Sequence, residues 1–315
     1  MTNEEWAYEH RFDDMFITAE QAAYKAYDII DGYYGGKRKR LHTRFPKLNA
    51  DIAGGFEYNT VNTIAGRSSS GKTSLLTMFM EDFIEDNPKL KILCFSFEMS
   101  AEQNMLKFLS NQLKMPMRDL YSADRKLSPE QVNQIKMALS KLKLYPITFI
   151  TNAVTPAELE EIVKARKTQL EEGESLMVAI DHTLLLKGVK SDDAAKFIID
   201  DLQRRLIELK KHGLIVFFQL AQLNRNIDES GRRTDATQHY PISSDLSDSS
   251  AMQNASDVVL VIHNPAHLNI EHYGPRQLST KDRIFIHVLK NRFFGKIGKM
   301  EMYTDDLEHN NLIEL

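Results

Sequence analysis

Residues 66–73 read Gly66-Arg67-Ser68-Ser69-Ser70-Gly71-Lys72-Thr73, the G-x-x-x-x-G-K-[ST] spacing of a phosphate-binding loop. The preceding Val61-Asn62-Thr63-Ile64-Ala65 is a short apolar run that predicts a buried strand. After the loop, Leu75, Leu76, Phe79 and Phe83 fall at helical spacing until Pro88 stops the pattern. Strand, loop and helix are the context the motif requires. A polyphosphate needs many donors at short range, and glycines let backbone N–H groups turn inward with no Cβ in the way. A helix beginning at Lys72 adds its positive end. The expected nucleotide-binding set is Gly66, Arg67, Ser68, Ser69, Ser70, Gly71, Lys72, Thr73 and Ser74. Lys72 is expected to reach the β and γ phosphates of a nucleoside triphosphate such as ATP, and the Thr73 hydroxyl to ligate Mg²⁺. The bland alternative is a Ser/Gly-rich surface turn.

Bulk properties bound the rest. The chain has 315 residues, 42% hydrophobic and 27% charged, an ordinary balance for a soluble globular protein with a full core. No run approaches 18 apolar residues, and the start Met1-Thr2-Asn3-Glu4-Glu5 lacks the basic and apolar regions of a signal peptide, so a cytoplasmic protein without a membrane partner is expected. The single cysteine, Cys94, lies in the apolar run Ile92 to Phe97 and reads as a buried thiol. A net charge of −4 announces no nucleic acid, so any such contact must come from local basic loops. The obvious cluster, Lys37-Arg38-Lys39-Arg40, follows a glycine pair and reads as a solvated linker or as an arm that contacts phosphates or a partner.

Two regions are expected: residues 1–40, with one amphipathic helix and the basic run, and residues 41–315. Thr18-Ala19-Glu20-Gln21 fits a capping box, and Ala23, Tyr27, Ile30 and Tyr34 then draw one apolar stripe. From Leu41 onward short apolar runs alternate with helices, which predicts an α/β fold with a mostly parallel central sheet flanked by helices. Expected strands are 61–65, 91–96, 146–150, 176–180, 214–218, 257–262, 284–290 and 298–303. Helix starts are marked by Ser100-x-x-Gln103, Ser128-Pro129-Glu130-Gln131 and Thr155-Pro156-Ala157-Glu158. Val132, Ile135, Leu139 and Leu142 mark one buried helical face, and Ile198, Leu202, Leu206 and Leu209 another. Residues 226–250 and 264–282 read as the two long loops.

Hydrolysis would need a second acid for the metal, a group that handles the attacking water, and a sensor of the γ-phosphate. Leu176-Met177-Val178-Ala179-Ile180-Asp181 is an apolar strand ending in a carboxylate placed to meet Mg²⁺, or in a plain turn residue. Glu98, in Phe95-Ser96-Phe97-Glu98-Met99-Ser100, can orient water or accept its proton; it also fits as an acid complementing a helix start. Gln222, in Gln219-Leu220-Ala221-Gln222-Leu223-Asn224-Arg225, can bond the γ-phosphate and pass its loss to the following loop.

Taken in order, Gly66 to Thr73, Ser96-Phe97-Glu98-Met99, Ile180-Asp181 and Gln222-Leu223-Asn224-Arg225 resemble the ATPase domain of DnaB-type replicative helicases. Asp245 to Met252, Ala255-Ser256-Asp257-Val258-Val259 and Lys290-Asn291-Arg292 continue the resemblance, which covers residues 41 to 305. It implies a RecA-like P-loop NTPase of prokaryotic or phage origin that forms a homo-oligomeric ring, usually a hexamer. ATP and Mg²⁺ would sit at each subunit boundary, and single-stranded DNA would be the track. By the same resemblance Glu98 is the catalytic carboxylate and Gln222 the phosphate sensor, while Lys290 and Arg292 reach the ATP of the adjacent subunit. The two cations read otherwise as exposed strand residues. The helix Thr18 to Tyr34 looks like the family's linker helix.

Three departures are visible. Only residues 1–40 precede the core, so the N-terminal helical domain of full-length family members is expected to be absent. The family's D-L-R-E-S-G segment reads Asp245-Leu246-Ser247-Asp248-Ser249-Ser250, and Asp181 is followed by His182-Thr183-Leu184-Leu185 instead of tyrosine, leucine and glutamine. DNA contacts are therefore expected at Lys187, Lys190, Arg232 and Arg233, which read equally as solvated loop charges. Two further readings stay open: a RecA/RadA-like recombination ATPase that forms filaments, and a nucleotide-switched loader or regulator that does not unwind DNA.

Overall fold

Apolar runs without alternation belong to parallel strands covered on both faces, and the chain uses them in that way. The computed structural model describes residues 16–36, 40–122, 124, 126–188, 192–246, 250–292 and 297–315. Lys37, Arg38 and Lys39 of the basic run lie outside the described residues, as do Lys190 and Ser247 to Ser249. The chain divides into two units after Arg40. In the first, Ala19–Tyr34 is a helix (α1) with its Thr18/Gln21 capping box formed and no buried residue; Tyr24, Tyr27, Ile30 and Tyr34 are all exposed.

In the second unit the strands are β1 (Thr60–Gly66), β2 (Leu90–Ser96), β3 (Ile147–Ile150), β4 (Ser175–Asp181), β5 (Ile215–Gln222), β6 (Val258–His263), β7 (His272–Tyr273), β8 (Leu278–Ser279), β9 (Arg283–Asn291), β10 (Lys299–Asp306) and β11 (Asn311–Glu314). Nine of them form one sheet in the order β11-β10-β9-β6-β1-β5-β4-β2-β3. From β6 to β3 every pairing is parallel, and β9, β10 and β11 extend the sheet antiparallel. All eight expected strands are present. β11 is an addition, and residues 264–282, expected as a loop, contain the small hairpin β7–β8.

The longer helices here are α2 (Lys72–Asp86), α3 (Ala101–Leu113), α4 (Pro129–Leu142), α5 (Pro156–Thr168) and α6 (Asp192–Leu209). The boxes at Ser100/Gln103, Ser128/Gln131 and Thr155/Glu158 all form, each satisfying two otherwise orphaned N–H groups. One expected face is corrected: α4 packs through Ile135, Ala138 and Leu142, whereas Leu139 is 41% exposed. The buried stripe runs through Ile135, Ala138 and Leu142 against α3, and Leu139 falls at its margin. On α6, Leu202, Leu206 and Leu209 are buried and Ile198 packs beside them. The core on one face of the sheet centres on Phe56, Phe79, Phe83 and Phe218, with Phe56 and Phe218 ring centroids 4.9 Å apart. Cys94 is buried there, and burial pushes its thiol pKa up. Among the described residues no helix is long and apolar enough to cross a membrane.

His263 on β6 and His287 on β9 are buried around Tyr273, whose hydroxyl lies 2.9 Å from His287 Nε2. Burial pushes His263 down to about 3 and His287 well below its ordinary value. The unfolded imidazole takes its proton near pH 6.5. Their contribution is therefore complete above that pH and is lost as pH falls toward the folded values, on the order of 1.4 kcal/mol per pH unit per histidine. Urea midpoints measured at pH 7 and pH 5 should fall for the wild type and fall less for His263→Gln. An equal drop in both would contradict this assignment.

Candidate active site

Parallel register brings the carboxyl ends of the strands to one edge. Gly66 at the end of β1 is level with Gln222 at the end of β5, and Ser96 at the end of β2 is level with Asp181 at the end of β4. These ends enclose a pocket of about 340 Å³, within the size range of small-molecule sites. Its lining includes Ser68, Ser69, Gly71, Lys72, Thr73 and Ser74 from the loop and the start of α2. Glu98, Met99, Lys107, Asp181, His182, Gln222 and Leu307 complete it.

The loop has the backbone a phosphate cradle needs. Ser69 and Gly71 are left-handed, with φ of 61° and 97°. A Cβ on Gly66 would stand 2.4 Å from Ser70 Oγ and 2.6 Å from the Ile262 carbonyl, so no side chain fits there. α2 begins at Gly71 with no side-chain cap, which leaves its first N–H groups for a ligand. Lys72 Nζ donates to the Gly66 and Arg67 carbonyls at 3.0 and 2.7 Å. Arg67 turns its side chain to Asp228, at 2.8 Å, and Ser70 Oγ is buried without a partner among the described residues. Gly66, Arg67 and Ser70 therefore shape the loop, and their neighbours line it.

Thr73 Oγ1 donates to Asp181 Oδ2 at 2.9 Å. Asp181 is buried, its other oxygen has no partner among the described residues, and burial raises its pKa above the ordinary carboxylate value. A hydroxyl beside an under-satisfied carboxylate is a hard oxygen donor set that fits Mg²⁺. Among the described residues no cluster of three or more His, Cys, Asp or Glu forms. Glu98 reaches the same pocket with its side chain 61% exposed. Its turn is fixed by Ser96 Oγ, which donates to the Met99 carbonyl and accepts from Asn104 Nδ2, both at 2.8 Å.

Lys107, His182 and Leu307 line the pocket although none of them was an expected site residue. Lys107, its pKa lowered by burial, extends from α3 to within 3.5 Å of Ser74 Oγ. Seven residues beyond Ser100, it shares a helical face with the cap, which is the signal that could have found it. His182 lies with Nε2 3.7 Å from Glu98 Oε2 and Nδ1 buried without a partner among the described residues. Leu307, after β10, presses on Gly71, and only tertiary structure brings it there.

Lys290 and Arg292 lie at the opposite edge. Asn291 is level with Val258 and Val258 with Asn62, so both cations flank the start of β1 while the phosphate loop follows its end. Five residues of strand, about 17 Å, separate Val61 from Gly66. Both cations reach the Asn254 carbonyl, which places them on one side.

Of the expected DNA contacts, Lys187 and Arg233 are exposed, Lys187 with a distant pairing to Glu158 at 3.9 Å. Lys190 lies outside the described residues. Arg232 is corrected: its side chain is 11% exposed and its guanidinium grips both oxygens of buried Asp245 and the carbonyls of Gln238 and Tyr240. It holds the loop together, with four of its five N–H donors engaged there.

Over 224 residues the chain is 29% identical to the replicative DNA helicase DnaB of Helicobacter pylori, covering 71% of this chain and 43% of that protein. It is 25% identical to the DnaB of Haemophilus influenzae over 223 residues, covering 70% and 45%. The chain thus spans less than half the length of these relatives. A separately solved ATPase domain superposes with a TM-score of 0.78 at 19% identity, covering 95% of this chain and 99% of that one. A DnaB-like replicative helicase, solved in a study of its interactions with primase, gives 0.76 at 19% identity, covering 95% and 67%. Residues 40–309 match the DnaB-like helicase C terminal domain, and the chain belongs to that family.

Proposed function

We propose that this chain is the motor of a ring-forming, ATP-dependent DNA helicase that hydrolyses ATP between neighbouring subunits and moves along single-stranded DNA during replication. The observation that carries the reading is the placement of Lys290 and Arg292 at the edge of the sheet away from their own phosphate loop. At that distance they serve an ATP only if it is bound by another subunit. Membership of the DnaB-like family supports the same arrangement.

In this reading Lys72 and the loop amides hold the β and γ phosphates, and Thr73 and Asp181 hold Mg²⁺. The bound metal would neutralise charge developing between the β and γ phosphates. Glu98 takes the proton of the attacking water, Gln222 bonds the γ-phosphate, and Arg292, with Lys290, stabilises charge from across the boundary. The exposed aromatic stripe of α1 fits a docking element for the next subunit in the ring. Lys187 and Arg233 remain as candidate DNA contacts. Because four of the five Arg232 donors are engaged within the chain, a nucleotide-switched module that does not translocate is the second reading.

Single-stranded DNA should stimulate ATP hydrolysis by the wild type. Glu98→Gln should lower kcat by about 10²-fold or more while leaving ATP binding intact, and Arg292→Ala by about 10³-fold. ATPase rates with and without an oligonucleotide at low salt check both; no oligonucleotide binding there would favour the non-translocating module. Thr73→Val should raise the Mg²⁺ concentration that half-saturates hydrolysis. An unchanged Mg²⁺ titration would remove Thr73 from the metal site.

A further inference from the structure

Asp257, the residue before β6, is fully buried and stands between two cations. Its Oδ1 accepts from Arg292 Nη1 at 2.9 Å. Its Oδ2 accepts from the Val61 N–H at 2.9 Å and from Lys210 Nζ at 2.5 Å. The backbone repeats the pattern, since the Asp257 N–H donates to the Val61 carbonyl and the Asp257 carbonyl accepts from the Arg292 N–H, at 2.7 and 2.8 Å. One residue therefore fixes both ends of Arg292, its main chain and its guanidinium. Nη2 is steadied by the Asn254 carbonyl at 2.6 Å.

A guanidinium has five N–H groups in a rigid fork. Two are used in these contacts, and the side chain is 45% exposed, so the remaining donors are available to an anion outside the subunit. An arginine left loose would surrender rotamer freedom each time it met that anion. One ordered beforehand meets it in a fixed geometry. Lys290 lacks such a seat; among the described residues its ammonium meets only the carbonyls of Gln253 and Asn254.

We infer that Asp257 is the positioning residue of the arginine that completes a neighbouring subunit's site. It aims the Arg292 guanidinium and ties it to the start of β1, the strand that ends in the subunit's own phosphate loop. The inference rests on the trans role of Arg292 proposed above. The plain alternative is that Asp257 only neutralises Lys210, in which case Arg292 would act independently of it.

The test is a double-mutant cycle on the full chain, reading DNA-stimulated ATPase for Asp257→Asn, Arg292→Ala and the double variant. Asp257→Asn should lower kcat about tenfold or more with the KM for ATP within about twofold, because the loop that binds ATP is untouched. The double variant should be no slower than Arg292→Ala alone. A kcat for Asp257→Asn near wild type, or losses that multiply in the double, would overturn the inference while leaving Arg292 in trans. Wild-type activity in Arg292→Ala would instead remove the reading beneath it. If Asp257→Asn does not fold, Lys210→Met removes the stranded cation, and Asp257→Asn/Lys210→Met is read against Lys210→Met with the same expectations.

Discussion

A phosphate chain can be held by backbone N–H groups only where the backbone turns sharply and nothing crowds it, and in this fold that place is the end of β1. Gly66 is wedged between Ser70 and the Ile262 carbonyl with no space for a Cβ, and Gly71 turns left-handed under Leu307. The rest of the site follows from that fixed point through the sheet order. β5, β4 and β2 lie successively beside β1, so Gln222, Asp181 and Glu98 follow Gly66 along one edge in that order. Four segments far apart in sequence meet around one pocket because parallel strands end on the same side.

The same sheet accounts for what the pocket lacks. β9 runs antiparallel to β6, so its last residues emerge at the edge where the parallel strands begin. Lys290 and Arg292 are delivered there, and the buried carboxylate of Asp257 joins Arg292 and Lys210 to the first hydrogen bonds of β1. Removing a buried carboxylate from between two cations leaves uncompensated charge, which makes this junction costly to disturb. In the reading proposed above, an active site split in this way would hydrolyse ATP only in an assembly. Nucleotide state and subunit contact are then linked by construction.

Much of this was legible in the sequence. Most of the eight strands were readable as short, mainly apolar runs between helices, and the helix starts because Ser100, Ser128 and Thr155 each precede a partner that closes a capping box. Asp181, Glu98 and Gln222 could be placed at strand ends by counting alone. Lys107 and Leu307 could not, since their part in the pocket depends on how α3 and the segment after β10 pack. Arg232 misled for the converse reason: a basic residue in a polar loop reads as solvated, and only the fold reveals Asp245 beneath it. β11 is four residues with two polar ends, too short to signal a strand before β10 provides its partner.

The central claim is that a complete site needs the phosphate loop of one subunit and the arginine of another, and mixing two inactive subunits tests it directly. Lys72→Ala removes a subunit's own nucleotide site and keeps its arginine, while Arg292→Ala keeps the site and removes the arginine. Co-assembled at equal ratio with single-stranded DNA, the two are predicted to hydrolyse ATP well above either alone. A mixture that stays as inactive as its separate components at every ratio would contradict the shared site.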